Sequence, residues 1–163
     1  MNPQDKNINS NISRLFKAIE DSDILWLRQI IESGDDIEEI DDEDYPGYTA
    51  LDLAAEKGNI QVIIMLIESG VNVDYSGESS PLHFAISAGN IDAVRVLISN
   101  GADLEIEEDD GVTPVLHAIM KHETEIVKLL VEAGADLNAW SRFGTVSEVA
   151  IKYGYNNLSD IRT

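Results

Sequence analysis

The chain has 163 residues, 31 of them acidic and 11 basic, for a formal net charge of -20. Such a charge argues against DNA, RNA and anionic membranes as direct ligands, since phosphate would be repelled. The chain has no cysteine, which excludes a disulfide framework, a cysteine-based zinc finger and a thiol nucleophile. The N-terminus carries no signal-like apolar stretch and no apolar run of about 18 residues occurs, so the expected location is cytoplasmic.

Residues 1–12 are polar and Asn-rich and are expected to form a flexible tail. From there an Ala recurs as Ala18, Ala54, Ala85, Ala118 and Ala150, at spacings of 36, 31, 33 and 32. A Gly follows the first four at an unchanging offset of 16, as Gly34, Gly70, Gly101 and Gly134. A period near 33 means one supersecondary unit stacked on itself. The spacing divides 13–163 into an N-terminal capping unit (13–45), three internal units (46–76, 77–110 and 111–143) and a C-terminal capping unit (144–163).

Within each internal unit Thr49, Ser80 or Thr113 precedes a short apolar segment. The hydroxyl suits a helix N-cap, and Pro81 and Pro114 suit the first helical position. This first helix ends at Gly58 or Gly89, where a left-handed residue is wanted; His122 takes that place in the fourth unit, at a cost of about 1 kcal/mol. A second helix follows, with apolar pairs at helical spacing around Leu66, Leu97 and Leu130. An Asp/Asn-rich turn then leads to the next unit. In the terminal units, Trp26 falls at a core position of a second helix, and the segment from Thr145 to Ala150 starts a shortened last unit.

At these residues the chain resembles the ankyrin repeat family. The family's T-P-L-H-x-A signature is present as Ser80-Pro81-Leu82-His83-Phe84-Ala85 and more loosely as Thr49-Ala50-Leu51-Asp52-Leu53-Ala54. Its G-A-D-x-N turn is present as Gly134-Ala135-Asp136-Leu137-Asn138. The resemblance implies an all-α solenoid of helix-turn-helix units with projecting β-hairpin turns. It also implies a protein-binding surface rather than a catalytic pocket, and gives His83 the role of bonding the turns of neighbouring units.

In that family partners meet the hairpin tips and the exposed ends of the first helices, which line a concave face. Carried over by register, the contact set is Tyr45, Tyr48, Glu56 and Lys57 in the second unit, and Tyr75, Glu78, Ser79 and Ser87 in the third. It continues with Glu107, Glu108, Asp109, Asp110, Val112, Met120 and Lys121, then Trp140, Arg142, Phe143, Lys152 and Tyr153. Aromatics flanked by acids suit a hot spot inside a charged rim. The plainer alternative is that Trp140 and Phe143 cover the C-terminal end of the stack.

The charge is uneven. Residues 29–110 hold 21 acids against Lys57 and Arg95, whereas 111–163 are nearly neutral. Two runs stand out, Glu32–Asp44 with nine acids and Asp103–Asp110 with six. One reading is a solvated surface that maintains solubility; the sharper reading is an electrostatic docking surface for a basic protein. Neither run has the alternating pattern of a Ca²⁺ loop. The three histidines, His83, His117 and His122, show no ligand-pair spacing, and no Ser-His-acid arrangement is supported by position.

The sequence therefore points to a non-catalytic binding protein without cofactor or metal, monomeric when free, whose partner is a basic protein. Small acidic ankyrin chains resemble proteins that neutralise a toxin, and an acidic face could cover a nuclease by mimicking nucleic acid. The alternative is a scaffold, adaptor or host-directed effector that bridges proteins without inhibiting them.

Overall fold

The computed structural model describes residues 5–38, 47–75, 79–156 and 158. Helices run in antiparallel pairs along the chain: α1 (Asp5–Glu20) with α2 (Ile24–Glu32), α3 (Ala50–Lys57) with α4 (Ile60–Glu68), and α5 (Pro81–Ser87) with α6 (Ile91–Ser99). Then come α7 (Pro114–Met120) with α8 (Thr124–Ala133), and a final α9 (Val146–Lys152). First helices pack on first helices and second on second, so the pairs stack into a solenoid. Helix α1 starts at Asp5, inside the stretch expected to be a tail; from Ile12 its apolar stripe is buried with Leu15, Phe16 and Ile19.

The caps fall where the sequence places them. Thr49 closes a capping box with Asp52, and the Ser80 hydroxyl accepts from the His83 N–H. Thr113 sits at the same position but makes no capping bond, and its hydroxyl is buried with no hydrogen-bond partner among the described residues. The turn between the two helices of each unit passes through a left-handed residue: Ser22, Gly58, Gly89 or His122. Gly58 has a second reason to be glycine. A Cβ there would stand 2.8 Å from the Asn90 side chain, which donates to the Ala55 and Glu56 carbonyls at the end of α3. At His122, which takes the same left-handed position in the fourth unit, the ring meets Tyr153 with centroids 5.5 Å apart.

The core is one continuous strip. Ala18, Ala54, Ala85 and Ala118 are fully buried on the first helices, and Leu66, Leu97 and Leu130 are fully buried on the second. Trp26 is half-buried against this strip.

The Asp/Asn-rich turns join the units. In each turn a side chain closes on the backbone two residues ahead: Asp36 on Glu38, Asn72 on Asp74, Asp103 on Glu105 and Asp136 on Asn138. The residue so held reaches into the next turn. Glu38 accepts from the Asn72 N–H at 2.6 Å, Asp74 from Asp103 at 2.9 Å, and Glu105 from Asp136 at 2.7 Å.

Hairpins project from the same edge. β1 (Trp140–Ser141) pairs antiparallel with β2 (Gly144–Thr145), and a single bridge joins Glu108 to Val112 around a 3-10 turn at Asp109–Gly111. The Arg142 N–H donates to the Asp110 carbonyl at 2.8 Å and its guanidinium lies 3.2 Å from the Asp110 carboxylate. The last two hairpins are thereby docked tip to tip.

Leu97→Ala should cost about 2–5 kcal/mol, because the shared strip cannot close over the cavity; chemical denaturation followed by circular dichroism measures it. Glu105→Ala should lower the denaturation midpoint more than Glu107→Ala, since only Glu105 carries a link to the next unit.

Candidate protein-binding face

Helix ends and hairpin tips bring the sequence-predicted residues to one edge, but with different exposures. Tyr75, Trp140, Phe143 and Tyr153 are exposed, Trp140 most of all at 72 %. Trp140 is thus the least covered of the four by the rest of the stack. Glu56, Lys57, Ser87, Lys121, Arg142 and Lys152 are exposed as well, and Met120 is half-buried against the core. Tyr45, Glu78 and the run Asp41–Asp44 lie outside the described residues.

Two expected contact residues take part in packing, and the fold covers one of them. Val112 is buried, because its backbone pairs with Glu108 and its side chain joins the core strip. Tyr48 is half-buried, its ring 4.4 Å from that of Phe84 in the next unit. Burial, then Glu56, pushes the Tyr48 phenol up, so its hydroxyl stays protonated.

The run Glu107–Asp110 is not uniform either. Glu107 and Asp109 are exposed, and Asp110 pairs with Arg142. Glu108 is half-buried and turns inward: the Ser79 hydroxyl bonds its Oε1, and His117 Nδ1 lies 2.7 Å from its Oε2. Its carboxylate is thus no solvated steering charge.

Two histidines meet at this carboxylate, contrary to the absence of a ligand pair expected from spacing. His83 is buried, with Nδ1 2.9 Å from the Ser80 hydroxyl and Nε2 3.3 Å from the Val112 carbonyl. The link to Val112 is the turn-bonding role implied by the resemblance. His83 Nε2 also lies 3.9 Å from Glu108 Oε2, and the His83 and His117 rings are 5.5 Å apart. His117 Nε2 is 2.8 Å from the Ser87 hydroxyl. Sequence reasoning missed this cluster because His83 and Glu108 stand near opposite ends of the third unit and His117 lies in the fourth. The one available signal was that His117 stands one position later in its unit than His83. That offset turns its side chain by about 100° around the helix, towards the hairpin and α5.

Burial pushes the His83 imidazole down to about 4 and keeps it neutral, against the opposing pull of Glu108. Burial alone would raise Glu108, but the hydrogen bonds from His117 and Ser79 overcome it and hold the carboxyl at about 2.

Against this geometry, two family models match the chain, one described as ankyrin repeats in three copies over residues 76–141 and one as ankyrin repeats in many copies over residues 51–98. The chain belongs to the ankyrin repeat family. Among curated relatives, it is 31 % identical over 80 % of its length to ankyrin repeat and KH domain-containing protein mask-1 of Caenorhabditis elegans. It is 32 % identical over 69 % of its length to the E3 ubiquitin-protein ligase Ufd4 of Drosophila melanogaster, and 33 % identical over 60 % to human ankyrin repeat and SOCS box protein 6. These alignments span only 5 %, 4 % and 25 % of the relatives themselves. Ankyrin repeats are a protein–protein interaction module, generally non-catalytic. No helix among the described residues is long and apolar enough to cross a membrane.

Acid should destabilise the stack in two stages. His83 takes its proton near 6.5 when unfolded and near 4 when folded, so stability falls as the pH drops through that window. The stabilisation from Glu108 is complete above about 4.5 and is lost between there and about 2. Denaturation midpoints across this range should fall in both windows, and Glu108→Gln should flatten the lower one.

Proposed function

We propose that this ankyrin chain binds a basic protein through the edge formed by its hairpin tips and first-helix ends, by contact and not by catalysis. The observation that carries the reading is Trp140, 72 % exposed on a hairpin docked to the acidic one. A large aromatic held on rigid backbone next to exposed acids fits an anchor with a charged rim. Glu107 and Asp109 supply the field where the third unit meets the fourth, and Glu56 at the second. Lys121 and Lys152 give the C-terminal end of the edge the opposite sign. The partner accordingly presents a basic surface with an acidic border, which fixes the direction in which it lies along the stack.

Covering a basic surface would occlude any site built to bind phosphate there. The finer reading is therefore inhibition of a basic enzyme in the cytoplasm, of which a nuclease-type toxin is the clearest instance. A scaffold would leave its partner active.

Association kinetics with the captured partner at two ionic strengths test the reading. Glu107→Gln with Asp109→Asn should slow association at low salt and flatten its salt dependence, with dissociation little changed. Trp140→Ala should act on dissociation, at a cost of about 2 kcal/mol or more. Equal association rates for wild type and the neutralised variant at low salt would exclude electrostatic docking. A partner fully active when saturated would replace inhibition with bridging.

A further inference from the structure

We propose that His83, His117 and Glu108 form a binding site for a divalent transition-metal ion of the zinc class, at the junction of the third and fourth units. Their donor atoms, His83 Nε2, His117 Nδ1 and Glu108 Oε2, all lie within 4.8 Å of one another. Two of the three separations are 2.7 Å and 3.9 Å. Donors on a tetrahedral ion with bonds of about 2.0–2.1 Å stand about 3.4 Å apart. The ion thus enters by opening the His117–Glu108 contact and drawing His83 inward, with side-chain movements alone. Two imidazoles and one carboxylate suit Zn²⁺ or Co²⁺ rather than Mg²⁺ or Ca²⁺, which want an all-oxygen shell.

The surroundings match this use in detail. Each donor has a serine behind it. The Ser87 hydroxyl holds His117 at Nε2 and leaves Nδ1 facing the carboxylate. Ser80 holds His83 at Nδ1 and leaves Nε2 facing the same oxygen. Ser79 holds Glu108 at Oε1 and leaves Oε2 between the rings. Metal-ligating histidines commonly donate their remote N–H to such a partner, which fixes the tautomer.

The His83 rearrangement is small. Its proton moves from Nε2, where it faces the Val112 carbonyl, to Nδ1, where Ser80 accepts it. The Val112 carbonyl keeps the Glu108 N–H at 3.0 Å. His117 makes the reverse exchange: its proton moves from Nδ1, where it faces Glu108, to Nε2, where the Ser87 hydroxyl accepts it. Three protein ligands leave a fourth position for water or for a donor from another molecule. Bound there, the ion ties α5, the Glu108–Val112 hairpin and α7 together.

The full chain titrated with Zn²⁺ in buffer containing excess Mg²⁺ should take up one equivalent. Co²⁺ should give the visible absorption of a four-coordinate site. His117→Ala and Glu108→Gln should each weaken Zn²⁺ binding about 100-fold, and Ser87→Ala about 10-fold. His122→Asn should have no effect. Imidazole ¹⁵N resonances of the wild type need no variant to fold: Zn²⁺ should shift His83 Nε2 and His117 Nδ1 and leave His122 in place. Zinc taken up only in several weak equivalents that Mg²⁺ displaces, or His83 and His117 resonances unmoved at one equivalent, would overturn the site.

Discussion

A carboxylate of one turn accepts the first free N–H of the next at three boundaries in succession, from Glu38 to Asn72, Asp74 to Asp103 and Glu105 to Asp136. The apolar strip beneath sets how closely the units stack, but burial has no direction. A hydrogen bond does, and a row of them fixes each turn against the last. The hairpins leave from these turns, so their tips form a line only because the turns are in register. The exposed position of Trp140 and the approach of Glu108 to His83 both depend on that alignment.

This arrangement changes the meaning of the acidic composition. Asp36, Asp103 and Asp136 close their own turns, and Glu38, Asp74 and Glu105 link turns together. Glu108 is consumed by His117 and Ser79, and Asp110 by Arg142. Much of the charge in these segments is thus structural, and the choice between solubility and recognition was too narrow. The field available to a partner along the edge comes from exposed acids that remain, among them Glu107, Asp109 and Glu56.

The fold was legible because its signals are local. The N-cap residues, the buried leucines and the left-handed His122 each follow from a few neighbouring positions. The links were harder to see. Asn72 is 34 residues from Glu38, and Asp103 is 29 from Asp74. Still, the alternation of Asp or Asn with Asp, Glu or Asn was in plain view at Asp36-Ile37-Glu38, Asn72-Val73-Asp74 and Asp103-Leu104-Glu105. Its composition displays the charge and not the hydrogen bonding. The histidine cluster had the weakest trace. A one-residue offset between His83 and His117 means little until the hairpin carrying Glu108 is placed beside both rings. Val112 was misassigned for a related reason: register put it at a hairpin tip, while the bridge to Glu108 folds it under.

The two populations of carboxylates respond unequally to salt. Gathering like charge along 29–110 repels the compact state, and ions that screen it relieve the repulsion. The turn-linking carboxylates are short contacts to backbone N–H groups and keep most of their strength under screening, because they depend on hydrogen-bond geometry rather than on a long-range field. The exposed acids lose their reach over the same range, since steering acts across a Debye length of about 10 Å at 0.1 M salt. Ionic strength therefore separates folding from recognition in this molecule. The carboxylates that build the edge are weakened little by it, and those that would attract a partner along that edge are weakened most.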